Sequence, residues 1–556
     1  MNGRAANGST GLMYGRFLLF IAGMGGLLYG IDVGIISAAL LYLGKTVNLT
    51  LGQTSIIVAA VLGGSMFSSL VAGFLADWIG RKSVMIISGF LFVGSVGVIV
   101  LSHSFAILFA GRLMQGMSGG FIAVVVPLYL AECLPASSRG RGSAIFQLML
   151  TVGLVIAAIT GWYYKTQADA VIHAAGGNAV LIRVAEDHAW RGMFLSVIYP
   201  GLVFFLGAFF LSETPRWLLR KGRGAAALQA LRKTASEEDA AVQFAEMELL
   251  TGRNREAVKT GHAGSLLQRK YVVPFLLACV ILACNQATGI NSILAYLVII
   301  LTQAGMSAAH ATQGNVAVMV LNSAMTLIAV ALVDRKGRKF LLTLGASGIL
   351  IALTCGGVLF YSFESKRVDV KAELVARMSG DTLSIPMNVL RPVTQAAPMA
   401  LNVLYSYGAG DKIATALSTD SDGVLKISPD AGSPTLTIKH AYYGPVPGAG
   451  TGWLVAICIG VFIASFAVGP GVVVWLALSE LMPTRIRSGG MGFALLVNQG
   501  VSTLIAGVFL PMVGRFGYHA MFWFWALCTV VYLATAVFFL PETKGKTLEE
   551  IELYFK

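Results

Sequence analysis

The run Gly73-Phe74-Leu75-Ala76-Asp77-Trp78-Ile79-Gly80-Arg81-Lys82 has a counterpart later in the chain, Val333-Asp334-Arg335-Lys336-Gly337-Arg338-Lys339. Each run lies where one long apolar stretch ends and the next begins. A second pair follows in the same order, Glu132 with Arg139 and Glu480 with Arg485. Paired repeats of this kind are typical of secondary transporters, so we predict two related, membrane-embedded halves.

The composition also indicates a membrane protein. The 556 residues are 56% apolar and 12% charged, about half the charge of a soluble domain. A helix of about 20 apolar residues spans a bilayer core of ~30 Å. Twelve windows meet this length, at approximately 17–43, 54–76, 83–101, 105–131, 142–163, 191–211, 271–301, 313–333, 340–362, 452–479, 489–512 and 518–540.

The basic residues indicate topology. The formal net charge is +13, but the arginines and lysines cluster in alternate short loops, around Arg81, Arg139, Arg338 and Arg485, whereas the intervening short connections contain only Lys45. Cytoplasmic loops carry such an excess. We therefore predict a multi-pass protein of the cytoplasmic membrane with both termini in the cytoplasm, and no nucleic-acid partner.

The chain divides into four predicted parts. These are an N-terminal bundle (1–212), cytoplasmic linker helices (213–269), a C-terminal bundle (270–540) and a cytoplasmic tail (541–556). Asp77 precedes Glu132 by 55 residues but Asp334 precedes Glu480 by 146, because the second bundle contains a long outer insertion at 363–450. We expect this insertion to be either a small β-containing cap or a disordered segment.

Two charged residues lie inside apolar windows, Asp32 in the first and Arg112 in the fourth. A carboxylate at mid-membrane depth costs about 2.5–3.5 kcal/mol and normally faces a partner or a cavity. Arg112 is the natural partner. A desolvated carboxylate that loses its partner takes up a proton, so the pair could couple proton movement to transport. The alternative is a permanent ion pair that only fixes helix packing.

Buried amides form a second candidate set, because amide groups both donate and accept hydrogen bonds and so match sugar hydroxyls. Ideal helix geometry would separate Gln286 and Asn291 by about 140°, and Ala287-Thr288-Gly289 offers a place for the helix to unwind. Trp475 could stack on a sugar ring or simply pack. The amides could instead serve helix association. The candidates are Gln147, Gln286, Asn291, Asn322, Asn498 and Gln499.

The repeated loop residues predict charge networks at the cytoplasmic ends of both halves. Such networks could hold one transport conformation, or they could only orient membrane insertion. Isolated surface pairs contribute ~0–1 kcal/mol, so several must act together. The first network would contain Asp77, Arg81, Glu132 and Arg139, and the second Asp334, Arg338, Glu480 and Arg485.

At these positions the chain resembles the sugar porter family of the major facilitator superfamily. The matching runs are 73–82, 111–116, 127–132, Glu213 to Leu218, 286–291, 334–339 and 541–545. The resemblance implies an all-α membrane protein with twelve helices in two six-helix bundles, rocking about a central sugar site.

The same resemblance implies roles for individual residues. It places Gln147, Gln286, Asn291, Asn322 and Trp475 on sugar-contacting positions and Tyr296 beside them, and it places Asp32 and Arg112 on the proton-coupling pair. Glu213 and Arg216 join the cytoplasmic gating network. Asn285, Ala295 and Gln499 depart from the usual family pattern, which leaves the preferred sugar open.

We therefore predict a proton-coupled importer of a hexose or pentose that functions as a monomer in the lipid bilayer. The alternatives are a passive facilitator, a proton symporter for polyols or inositol, and a non-transporting sugar sensor. Neither an enzyme nor a cofactor is expected. The six cysteines and seven histidines lack metal-ligand spacing, so no metal site is expected.

Overall fold

The computed structural model describes most of the chain. It covers residues 2–134, 136–234, 237–259, 269–389, 398–408, 410–418, 424–428, 435–482, 487–542 and 554–555. Only the backbone is described at 2–12, 136–141, 143–144, 250–259, 270, 334, 388, 475–480 and 487–489. Most of the predicted tail, residues 543–553 and 556, lies outside the described residues.

Seven helices form the first half. They are α1 (Asn2–Thr46), α2 (Leu51–Ile79), α3 (Arg81–Val100), α4 (Phe105–Cys133), α5 (Ala136–Ala174), α6 (Ala179–Ser196) and α7 (Ile198–Phe210). Thr50 begins α2 as the N-cap residue: its hydroxyl accepts a hydrogen bond from the Gln53 backbone N–H, and the Gln53 side chain accepts one from Thr50 N. This reciprocal pair satisfies two backbone donors at the helix start.

Three short helices connect the halves, as the sequence predicts: α8 (Pro215–Arg220), α9 (Gly224–Arg232) and α10 (Glu237–Lys259). The second half contains α11 (Arg269–Ala287), α12 (Ile290–Gln303), α13 (Ala308–Lys336), α14 (Arg338–Glu364), α16 (Ala449–Val468), α17 (Pro470–Leu481) and α18 (Arg487–Ala534), which ends in a π-helical turn (Thr535–Phe539). The helix α15 belongs to the insertion.

Eleven stretches of the described chain are apolar and long enough to cross a membrane. The last, Gly490–Phe539, is 50 residues long and is interrupted at Gly517, whose φ of 83° and ψ of 171° are not helical. This stretch therefore holds two spans, which gives the twelve predicted. Large apolar side chains such as Phe74 and Phe210 are 72% and 75% exposed, as expected for helices that face lipid.

The insertion is folded. It contains β1 (Val368–Asp369), α15 (Lys371–Ala376), β2 (Leu383–Pro386), a 3₁₀ turn (Met387–Val389), β3 (Met399–Ser406), β4 (Asp411–Leu417), β5 (Val424–Ile427) and β6 (Thr437–Pro445). An antiparallel sheet has the order β1-β6-β3-β4, and β2 pairs with β5. Leu374, Leu401, Val403 and Ala441 form its own fully buried core. The cap prediction is confirmed, and the disordered alternative is wrong for these described residues.

The sheet defines one side of the molecule, which we call the insertion side; the opposite side, with Arg81 and Arg338, is the basic side. The two halves contact each other through α1 with α12, α2 with α18, and α5 with α13. Near the insertion side, Ser37 Oγ accepts from Val298 N at 3.3 Å, and Ser55 Oγ accepts from Leu510 N at 3.2 Å. The halves are therefore closed against each other on the insertion side.

The insertion also bridges the two halves. Although it extends from α14 and α16 of the second half, its β4 strand lies against the start of α2 in the first half. Lys412 Nζ donates to Asn48 Oδ1 at 2.8 Å, and Gly410 packs on Thr50. The cap thus adds contacts to the closed insertion side.

Candidate functional site

The helix break predicted between Gln286 and Asn291 is present. Helix α11 ends at Ala287, and α12 begins at Ile290 after Gly289, which has a left-handed backbone (φ 85°, ψ 12°). Because the chain turns there, the two amides meet: Asn291 Nδ2 donates to Gln286 Oε1 at 3.0 Å. A continuous helix would have pointed these side chains apart.

The two amides belong to a network that joins the broken helix to α18. Asn291 Nδ2 also donates to Ser502 Oγ at 2.8 Å, and Gln286 Nε2 donates to Asn498 Oδ1 at 3.3 Å. Asn498 Nδ2 in turn donates to Leu282 O at 3.1 Å. We call Gln286, Asn291, Asn498 and Ser502 the amide network. Its hydroxyl and amide groups offer both donors and acceptors to a polar solute.

The remaining predicted sugar contacts lie on both halves of the protein. Gln147 on α5 and Asn322 on α13 are half-buried. Gln499 reaches across to the other half, where its Nε2 lies 3.5 Å from Ser65 Oγ. Tyr296 is fully buried; its ring stacks on Phe509, and its hydroxyl lies 3.4 Å from Ser55 Oγ. The Trp475 side chain lies outside the described residues.

The predicted ion pair is confirmed in the first half. Arg112 Nη1 lies 3.2 Å from Asp32 Oδ1, and both residues are 1% exposed. The same guanidinium donates to Gln115 Oε1 at 2.7 Å and lies 5.4 Å from the centre of the Phe194 ring. Arg112 is thus held by an amide and an aromatic ring as well as by the carboxylate.

The second carboxylate oxygen of Asp32, Oδ2, does not accept a hydrogen bond from Arg112. Within the described chain, Oδ2 is buried and has no hydrogen-bond partner. It lies beside Gly119, where an added Cβ would come within 3.6 Å of it. An unpaired buried acceptor costs about 1–3 kcal/mol. One oxygen of Asp32 is therefore committed to Arg112, and the other is free to accept a proton.

The predicted charge network of the first half lies on the basic side. Arg81 is 2% exposed and its Nη2 contacts Glu132 Oε1 at 2.9 Å and Asp77 Oδ1 at 2.8 Å. Thr214 Oγ1 donates to Glu132 Oε2 at 2.6 Å. Arg220 adds contacts of 3.2 Å to Asp77 and 3.5 Å to Glu132. These bonds join α2, α3 and α4 to the linker helix α8.

Two glutamates bind equivalent helix starts in the two halves. Glu213 accepts hydrogen bonds from the backbone N–H groups of Arg81 and Lys82, at 3.0 and 3.1 Å, and Glu542 accepts from Arg338 and Lys339 at the same two distances. A carboxylate is favoured at a helix N-terminus. Burial raises the pKa of Glu213 above its ordinary value, although these N–H bonds oppose that shift.

Known proteins share this architecture. The model of the family described as "Sugar (and other) transporter" matches residues 18–377 and 433–555. The chain belongs to this sugar transporter family. The unmatched residues, 378–432, fall within the insertion, so the family model covers the helical bundles and leaves out part of the cap.

Several members and solved structures are similar along almost the whole chain. The glucose transporter GlcP of Staphylococcus epidermidis is 26% identical over 97% of this chain and 96% of its own. Probable inositol transporter 2 of Arabidopsis thaliana is 28% identical over 96% and 90%. Partially occluded, inward-open XylE from E. coli, a xylose transporter, superposes with a TM-score of 0.68 at 21% identity, over 96% and 100%.

A further XylE structure, described as a major facilitator superfamily proton:xylose symporter, gives a TM-score of 0.65 at 22% identity over 98% of this chain and 99% of that one. The transporter thus has the major facilitator fold, and the named members of its family are transporters and not enzymes.

The sequence of this sugar transporter did not predict every residue of the amide and charge networks. Some of the predicted residues lie outside the described part of the chain. Ser502 and Arg220 carry no local sequence signal, whereas Gln115 follows Arg112 by one helical turn and could have been found from that spacing. Arg216 is exposed, and the neighbouring Arg220 contacts Asp77 and Glu132. The side chains of Arg139, Asp334 and Glu480, and all of Arg485, lie outside the described residues.

Gly289 provides a direct test of the helix break in this transporter. We expect Gly289→Ala to lower the free energy of unfolding by about 1–3 kcal/mol, because the left-handed backbone disfavours a side chain and an added Cβ would collide with the Trp525 ring. Gly97→Ala is the control, since a Cβ there meets nothing within 4 Å. Equal thermal midpoints for both variants in detergent would contradict the assigned break.

Proposed function

We propose that this transporter carries a monosaccharide, a hexose or pentose, together with a proton. The buried Asp32–Arg112 pair carries the proposal, because a carboxylate with one paired and one unpaired oxygen can exchange a proton against an arginine contact. Protonation would neutralise Asp32 and weaken its attraction for Arg112. The names of the relatives support sugars or inositol as the solute class and support proton coupling.

The proposed cycle follows from the positions of the two sites. Asp32 takes up a proton when the insertion side is open, sugar binds the amide network, and the halves then rock to open the basic side. Proton release restores the Asp32–Arg112 contact. The described conformation, closed on the insertion side with the ion pair formed, corresponds to the state after proton release. We place the insertion outside the cell and both termini in the cytoplasm, following the basic loops.

Uptake into proteoliposomes tests this proposal. We expect an imposed inward pH gradient to drive accumulation of labelled glucose or xylose above the outside concentration, and a protonophore to collapse accumulation to equality. Equilibration that ignores the protonophore would show a passive facilitator instead. Counterflow in the absence of any gradient should persist in either case, whereas a non-transporting sensor would show none.

Inositol is the second candidate solute, favoured by the inositol transporter among the relatives. The same vesicles distinguish it from sugars. If the amide network selects a pyranose, glucose counterflow should continue in a tenfold excess of unlabelled myo-inositol, and labelled myo-inositol should show no counterflow. A reversed pattern would assign inositol as the solute.

A further inference from the structure

A cavity lies on the insertion side, away from the amide network. It has a volume of about 250 Å³ and lies between the sheet, the start of α2, the end of α14 and the part of α18 around Gly517. None of its lining residues belongs to the amide network or to the Asp32–Arg112 pair. The residues used below are Arg367, Asn402, Thr415, Tyr442, Arg515 and Glu364.

The carboxylate in this cavity already accepts hydrogen bonds from other groups of the protein. Glu364, at the end of α14, accepts hydrogen bonds from the backbone N–H groups of Tyr518 and His519 at 3.0 and 3.1 Å. It also contacts His519 Nδ1 at 2.6 Å. Both of its oxygens are therefore engaged by the start of the helix that follows Gly517, which fixes this part of the cavity wall.

The cavity carries surplus positive charge. Arg367 lies 3.7 Å from the engaged Glu364, a long contact, and its guanidinium rests over the Phe363 ring. Arg515 is exposed and lines the cavity, and within the described chain no ion-pair partner is found for it. The cavity thus has two guanidinium groups and one carboxylate, and that carboxylate is already hydrogen-bonded to other donors. Guanidinium groups bind carboxylates well, often with two hydrogen bonds.

The sheet supplies groups suited to a hydroxylated ring. Thr415 Oγ1 donates to Asn402 Oδ1 at 2.7 Å, which leaves the amide N–H₂ as a donor. Tyr442 lines the same wall, with its ring parallel to that of His440, while Leu404 and Ile413 supply apolar surface. Pockets for drug-sized ligands are roughly 300–1,000 Å³, so this cavity suits a smaller ligand, such as one sugar ring.

We propose that this cavity is an extracytoplasmic binding site for a carboxylated monosaccharide. The guanidinium groups of Arg367 and Arg515 bind the carboxylate, and the Asn402 amide and the Tyr442 ring contact the sugar. The site is distinct from the transport site of the amide network. The insertion contributes to it, because β3 and β4, which carry Asn402 and Thr415, lie within residues 378–432, which the family model does not match.

Titration calorimetry on the purified full-length protein tests the site. The probes are D-glucuronate and D-glucose, which differ only in a carboxylate against a hydroxymethyl group. We expect glucuronate to bind at least about tenfold more tightly than glucose does, and its affinity to fall as the salt concentration is raised. Equal affinity for the two probes, or no glucuronate binding, would overturn the proposal.

Four variants separate this site from its surroundings. Arg367→Gln and Arg515→Gln should each weaken glucuronate binding about tenfold or more. Arg377→Gln is the matched control, because Arg377 pairs with Glu373 on α15 and does not line the cavity. Gln286→Ala should leave glucuronate binding unchanged, whereas loss of binding in that variant alone would assign it to the transport site. Binding does not depend on transport, so the two proposals can fail separately.

Discussion

Asp32→Asn is expected to abolish accumulation of sugar against its gradient while sugar exchange continues. One proton moving down a membrane potential of about 100 mV supplies about 2.3 kcal/mol, which supports roughly 50-fold accumulation at about 1.4 kcal/mol per factor of ten. Asparagine preserves the shape of the side chain but cannot exchange a proton. The accumulation ratio should therefore fall from tens to about one, measured with labelled sugar in energised vesicles.

The control for this variant is Asp169→Asn. Asp169 forms an i,i+4 contact with Lys165 on α5 and its side chain is 38% exposed, so its loss should leave accumulation unchanged. In this variant Arg112 loses its buried partner, and an unpaired buried charge costs several kcal/mol, so the variant could unfold. Continued counterflow would show that the Asp32→Asn protein is folded. Uphill accumulation by a folded Asp32→Asn protein would exclude Asp32 as the coupling residue and leave the ion pair a packing element.

Gln286→Ala is expected to weaken sugar binding by about 10- to 100-fold. Gln286 accepts from Asn291 and donates to Asn498, so its removal takes away groups that could bind sugar and also releases two neighbours from their positions. Each neutral hydrogen bond contributes about 0.5–1.5 kcal/mol, and two such losses correspond to the stated range. The half-saturating sugar concentration in counterflow is the measurement.

Gln167→Ala is the matched control for the amide network. Gln167 is an exposed amide on α5 that donates to Tyr163 OH at 3.2 Å, so its removal should not change sugar affinity. Ser502→Ala, which removes one partner of Asn291, should produce a smaller loss than Gln286→Ala. If Gln286→Ala matched Gln167→Ala in affinity, the amide network would serve helix packing and the sugar would bind elsewhere.

Much of the fold was predictable because membrane helices obey local rules. Apolar length predicts the spans, and Gly289, between Gln286 and Asn291, marks the helix break. The basic loops predict the orientation in the membrane. The pairing of Asp32 with Arg112 was also predictable, since buried charges in apolar helices need partners. The insertion was harder to predict, because the pairing of β6 with β3 depends on contacts between residues distant in the chain.

By itself, the sequence determined the two-fold repeat, the spans, the break in the seventh span and the charged residues that must be paired, because each follows from the cost of exposing polar groups to lipid. Only the tertiary structure decided that Ser502 belongs to the amide network, that Arg220 contacts Asp77 and Glu132 on the basic side, and that Arg367 and Arg515 line a cavity. These contacts join residues that lie on different elements of the chain. Hydropathy shows that a helix is apolar enough to enter the membrane, but it does not show which polar side chains on two helices will contact each other.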